Sequence, residues 1–376
     1  MYSATNDDFK LARNLFLTIT VVFILYVLKS VMIPLLFGII ISVMLYPITK
    51  FLERKFRFRR LASSITVLLF FILIVLGIFF FVGYQISEIL SKSDIYGKRL
   101  SELSQEIVGY ISSNFNINAD QALNLKKVNI EELVKSNFSK ISDFISASGA
   151  LVGDSVLALL YIFFFLYYRK FFIEFIHKLF PKKNNEYLTS ILVKIYDAQQ
   201  DYMVGMVTVM IIVGVLNTVG LLILGIENAF FFGFLGGFLI LFPYIGVIVG
   251  SLLPALVALA TKDSAWYSVG VLAVFGFVQF LEGNFITPKI TGSKISINSF
   301  VIIVSLLLFS LLWGLSGMIL AIPATAALKI ILDHVPNYKA YAFLLSEPKE
   351  EHLERTVFNR LKIWKKIREN NKKFNE

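Results

Sequence analysis

The stretch LEGNFITPKITG, residues 281–292, sets an acid, an amide, hydroxyls, a proline, a lysine and glycines into an otherwise apolar chain. Glu282, Asn284 and Thr287 offer side-chain oxygens, and Pro288 removes a backbone donor, which frees nearby carbonyls to act as ligands. Pro288 is expected to end the preceding helix or hold a break just beyond it. Lys289 can balance Glu282 or meet an anionic group, and Gly292 closes the cluster. Gln279 stands three residues before Glu282, on the same face if the helix continues; it could equally make a hydrogen bond between helices. Charged groups inside a membrane are costly and usually functional. The chemistry offered is therefore ligation of a permeating species by freed carbonyls and these side chains. The same residues also read as a plain cytoplasmic loop, in which Lys289 and Lys294 follow the positive-inside rule. On these residues alone both readings stand.

A second cluster is FPYIGVIVGSLLPAL, residues 242–256. Pro243 and Gly246 in the Pro243-Tyr244-x-Gly246 run are expected to reverse the chain, with Pro254 beyond them. The flanking apolar segments 229–242 and 244–260 hold 14 and 17 residues, fewer than the roughly 20 a comfortable span needs. Two short helices meeting at such a turn suit a re-entrant hairpin, whose turn must be buried in protein or face water. A tight surface loop is the alternative. Residues 300–332 follow the same pattern, with 300–313 and 315–332 joined at Gly314, near WGLSG, and Pro323 interrupting the second half. Pairs of short, Gly/Pro-interrupted segments are the best sequence pointer to a transport site.

Other chemistry has no visible residues. The chain has no cysteine, so disulfides, zinc thiolates and iron–sulfur clusters are out. The three histidines, His177, His334 and His352, show no metal-ligand spacing, and no metal site or cofactor is expected. There is no G-x-x-x-x-G-K-[ST] loop, no H-E-x-x-H and no Ser/His/Asp arrangement. An enzyme is not expected.

The elements that must carry these clusters are membrane helices. Of the 376 residues 57% are hydrophobic and 16% charged, against about 25% charged in soluble proteins; mean hydropathy is +0.73. The fold class expected is all-α: a polytopic integral membrane protein of about eight transmembrane helices, with one or two re-entrant or broken-helix hairpins. A β-barrel would need short alternating strands, and the apolar runs here are continuous. Residues 1–14 are polar and no cleavage signal follows the first apolar run. The spans expected start at 15–28, 31–48, 61–83, 150–168, 202–226 and 265–281. Gln199, Gln200 and Asp201 are expected to cap the span beginning at 202.

Charge sets the expected topology. Residues 50–60 hold six basic residues and one acid, and the connector 169–200 holds six Lys/Arg; both belong on the cytoplasmic side. The N-terminus and the basic tail then lie inside, the cluster at 281–292 lies inside or at the inner boundary, and 84–147 lies outside. The formal charge of +10 is explained by these membrane-flanking residues, and no nucleic-acid partner is expected. Four regions follow: membrane helices at 1–83, an extramembrane amphipathic helical region at 84–147 with a capping box at Asn129 and Glu132, a transport core at 148–340, and a charged tail at 341–376.

The run GLLILGIENAFFFGFLGGFLILFPYIGVIVGSLLPALVAL, residues 220–259, with FLEGNFITPKITG at 280–292, resembles the autoinducer-2 exporter (AI-2E) family of bacterial membrane proteins. The matching positions are Pro243, Tyr244, Ile245 and Gly246, then Glu282, Asn284, Pro288, Lys289, Ile290 and Gly292, then Gly314, Gly317, Ala321, Pro323 and Ala326. Val247 stands where family members often have proline, and Gly283 where they often have Asn. The resemblance implies a secondary exporter of a small polar solute in the bacterial cytoplasmic (inner) membrane, and a homo-oligomer, a pentamer. It also implies an alternative, a cation antiporter coupling Na⁺ and H⁺ through Glu282. A third reading is a non-transporting membrane scaffold whose outer region binds an envelope partner.

Overall fold

A computed structural model describes residues 6–115, 151–180, 185–242, 245–290 and 297–348. Among them the protein is helical, with one isolated β-bridge between Ile297 and Ser346. The expected capping box at Asn129 and Glu132 and most of the tail lie outside the described residues. The helices are α1 (Asn6–Val27), α2 (Lys29–Lys55), α3 (Arg60–Ser91), α4 (Ser93–Phe115), α5 (Leu151–Tyr167), α6 (Arg169–Leu179) and α7 (Asn185–Ile223). They continue as α8 (Ala229–Leu239), α9 (Ile245–Thr261), α10 (Trp266–Leu281), α11 (Thr287–Ile290), α12 (Ser299–His334) and α13 (Lys339–Leu345). Five helical stretches are long and apolar enough to cross a bilayer, six if the bent pair α5 and α6 is one span, and α8 and α9 are shorter apolar helices. This is a multi-pass membrane protein.

The chain divides into two compact units. The first takes in residues 1–185 and 199–292. At one end of it α2, α3 and α5 pack around Leu45, Val67, Ile162 and Leu166. A Cβ on Gly38 of α2 would come within 2.6 Å of Tyr161 Cβ, so these two helices approach at backbone distance. Arg57, at φ 52°, turns the chain between α2 and α3. A second core joins Leu221 of α7, Phe231 and Phe232 of α8, Ala258 of α9, and Val271 and Phe275 of α10. Ile89 at the far end of α3 and Tyr96 of α4 complete it. All nine residues from Leu73 to Phe81, between these two anchor points of α3, are exposed. Lys92 ties the same corner together, donating to Glu227 at 2.8 Å; that carboxylate holds its ammonium above the ordinary lysine value. Asn228, at φ 53°, donates to Gln85 at 2.7 Å and Glu88 at 3.1 Å.

Two expectations change here. Gln199, Gln200 and Asp201 do not begin a helix, because α7 starts at Asn185 and runs through them without a break. Gln199 is buried instead. Helix α3 also continues eight residues beyond the expected end of its span, to Ser91.

The second unit holds 186–198 and the described residues from 297 on. Asn298 caps α12, its Oδ1 accepting from Phe300 N–H at 2.9 Å. Trp313 (φ −136°, ψ 16°) and Gly314 (φ 62°, ψ −140°) leave helical geometry. Val301 and Ala326 share one small core with Ile297, although 25 residues of straight helix would part them by about 37 Å. A Cβ on Gly317 would overlap the carbonyl oxygen of Phe309. Helix α12 is therefore a helical hairpin folded at Trp313–Gly314, with arms 299–312 and 315–334. The expected joint at Gly314 is where the fold occurs.

Candidate functional site

Helices α8 and α9 run antiparallel, since Gly236 and Gly250 approach closely and so do Leu239 and Gly246. At eleven residues, α8 is about 17 Å long, which is half of a span. The turn between them leaves no room for a side chain at Gly246, whose Cβ would overlap the Leu239 carbonyl oxygen. The glycines of α8 bring it equally close to α7: a Cβ on Gly233 would strike Thr218, and one on Gly237 the Met210 carbonyl. Pro254 is fully buried within α9.

Near the hairpin turn, four helices enclose a cavity of about 10 Å³, room for about one water. Val213 and Asn217 of α7, Gly236 and Ile240 from α8 and its turn, Gly246 and Val247 of α9, and Phe275, Val278 and Gln279 of α10 line it. Phe275 to Gln279 is the middle of the 25-residue span Trp266–Ile290. The hairpin thus turns back half-way along its neighbour rather than crossing, which is re-entrant geometry.

Asn217 is 2% exposed, and its Oδ1 is buried without a hydrogen-bond partner. Buried polar atoms are nearly always paired, and the exceptions ask for a reason. Gly236 gives the amide its room, for a Cβ there would stand 3.1 Å from Asn217 Nδ2 and 2.7 Å from Phe275 Cε1. Across the cavity, Gln279 donates from Nε2 to Glu282 Oε2 at 2.7 Å. That assignment leaves its Oε1 as an acceptor.

Glu282 is 9% exposed. It begins a π-helical turn, Glu282–Ile286, between α10 and α11. Its carboxylate accepts from Gln279 and, through a short hydrogen bond, from the Thr287 hydroxyl. Its own carbonyl accepts from the Thr287 N–H, five residues on. Pro288 accounts for the turn: its ring crowds the carbonyl four residues back and it has no N–H to donate, so the ladder widens here. Such π-turns recur at functional sites. The helix continues to Ile290, so Pro288 widens it rather than ending it.

Gln279, Glu282 and Thr287 are thus brought together, and Gly246 joins Gln279 at the cavity. Asn284 is not with them: it is exposed, and its Nδ2 donates to Phe280 O at 2.9 Å. Pro288 and Lys289 are exposed. Lys289 makes no ion pair with Glu282; the amide and hydroxyl neighbours hold that carboxylate instead. Pro243, Tyr244 and Gly292 lie outside the described residues, and Gly314 and Pro323 belong to the second unit. Sequence reasoning missed Asn217. Its one signal is an amide amid the apolar run 202–226.

Comparison with known proteins agrees with this architecture. Residues 15–337 match the profile of the AI-2E family transporter. The chain is 27% identical to YrrI of Bacillus subtilis over 317 residues, 82% of this chain and 87% of YrrI. It is 23% identical to YueF of the same organism over 321 residues, 82% of this chain and 84% of YueF. It is also 28% identical over 155 residues to the AI-2 transport protein TqsA of Escherichia coli, which spans 41% of this chain and 45% of TqsA. With the profile covering most of its length, the chain belongs to the AI-2E transporter family, and its work is transport across a membrane.

Proposed function

We propose that the protein exports a small polar solute across a bacterial cytoplasmic membrane, binding it at the cavity beside the α8–α9 turn. The observation that carries this reading is the buried amide of Asn217, whose Oδ1 is unpaired, in a residue that lines a water-sized cavity at mid-span. Asn217 and Gln279 line the site with amide side chains, each carrying a donor and an acceptor, so it favours a hydrogen-bonding ligand such as a hydroxylated furanone. At about 10 Å³ the cavity is closed to a solute of that size, and binding requires the hairpin to move. Access then alternates as the hairpin-bearing helices shift, with the site near the midplane. The chain acts as a carrier and not as an enzyme. Both termini lie in the cytoplasm, and the assembly is a homo-oligomer, the pentamer that the family resemblance implies.

A second reading is favoured by the same dimensions. A cavity for one water, lined by the amide residues Asn217 and Gln279 and next to the buried Glu282 carboxylate, also suits Na⁺ exchanged for H⁺. Proteoliposomes separate the two readings. Under export, a labelled furanone or polyol crosses, Asn217→Leu lowers that flux at least tenfold, and a Na⁺ pulse leaves an imposed pH gradient unchanged. Under antiport, the Na⁺ pulse collapses the gradient and Glu282→Gln abolishes the response. If both substitutions leave every flux at the parent level, the cavity is not the transport site and the scaffold reading takes its place.

A further inference from the structure

We propose that α6 and the α2–α3 turn together form a platform for anionic phospholipid headgroups. Helix α6 leaves α5 at an angle of 75° at Tyr168, where the membrane-spanning run ends. It is amphipathic: Phe172, Phe175, Ile176 and Leu179 recur on one face, and Lys170, Glu174, His177 and Lys178 on the other. None of its residues is buried, and Phe171, Phe175 and Leu179 are 64%, 52% and 63% exposed. Phe172 packs on Phe165 of α5, but the outer part of this apolar face is bare where three apolar helices, α2, α3 and α5, end or begin.

The neighbouring turn has the same mixed character. Phe51, Phe56 and Phe58 are exposed, interleaved with Lys50, Arg54, Lys55, Arg57 and Arg59. Across 50–60 and 169–180 there are nine Lys/Arg and two carboxylates. Both carboxylates are already engaged. Glu53 accepts from Arg169 and from Ser63, and Glu174 pairs with Lys178 at 2.9 Å, which holds its carboxyl below the ordinary glutamate value. The two segments thus carry a surplus of positive charge that their own acids do not meet. Arg169 also stacks over the Tyr46 ring at 5.1 Å, so the first residue of α6 is bolted to α2 and the two halves of the platform keep one geometry. Aromatic side chains and surplus cations at the end of apolar helices match one environment, the boundary between acyl chains and phosphate. A soluble acidic protein would match the charge but would leave the phenylalanines bare.

The test uses the full chain in vesicles, with Phe175→Trp as reporter, Phe171→Trp as a second, and the parent protein's emission subtracted. Lipids brominated high on the acyl chain are the quenchers, carried either on phosphatidylcholine or on phosphatidylglycerol in otherwise identical mixed vesicles. The platform predicts quenching at either position, about twofold stronger when the bromines are on the anionic lipid. Removing charge by Arg54→Gln, Arg57→Gln and Lys170→Gln together should equalise the two lipids while quenching persists. Equal quenching in the parent background would overturn the headgroup preference. Quenching by neither lipid would overturn the platform altogether, placing α6 in water if aqueous iodide quenches it and under a protein partner if iodide does not.

Discussion

Asn217 leaves an acceptor unpaired although only 2% of the residue is exposed. An unsatisfied buried polar group costs about 1–3 kcal/mol, and an apolar residue of similar shape removes that cost. Asn217→Leu is therefore expected to raise the thermal unfolding temperature in detergent, or leave it unchanged, even as it abolishes transport. A drop in stability would mean that the amide has a structural partner. This residue was not legible in the sequence, because a single amide in an apolar run also describes an ordinary contact between helices. Gln279, Glu282 and Thr287 were legible because they crowd around Pro288, a residue that must disturb a helix. Their mutual hydrogen bonds were not, since whether Lys289 or Gln279 reaches Glu282 depends on how far the π-turn rotates the helix face.

Two hairpins in this protein close on glycines that touch a carbonyl. A Cβ on Gly246 would overlap Leu239 O, and one on Gly317 would overlap Phe309 O. Both glycines close a hairpin, one in each unit. Nothing lies within 4 Å of a Cβ added at Gly283. Gly246→Ala and Gly317→Ala should each destabilise by about 1–3 kcal/mol, the range for overpacked sites, whereas Gly283→Ala should be neutral or slightly stabilising, for a helical alanine is preferred to glycine. Thermal unfolding of the three variants checks this ordering. The hairpins could be foreseen because glycine and proline interrupt each apolar run and leave at least one arm too short to span a bilayer, 229–239 in one and 299–312 in the other. The π-turn could not: proline in a helix is compatible with an end, a kink or a widened turn, and neighbouring packing selects among them.

At the scale of the whole chain, sidedness is open to direct measurement because the protein has no cysteine. Single cysteines can be introduced without background labelling. Arg57→Cys should react with a membrane-impermeant maleimide only after the cells are permeabilised, and Asp94→Cys should react in intact cells, since α3 is one span between them. Labelling of Arg57→Cys in intact cells would refute the orientation read from the basic residues at 50–60, and reaction of both from the same side would refute the crossing by α3. The same helix has a wider consequence. With 32 residues, α3 is about 48 Å long, well beyond the roughly 30 Å of hydrocarbon it crosses. It is gripped near Val67 in one core and near Ile89 in the other, with Leu73–Phe81 bare between. A rod fixed only at its ends answers hydrophobic mismatch by tilting, so bilayer thickness becomes one of the quantities that set the difference in depth between its two anchorages, and with it the seat of the re-entrant hairpin.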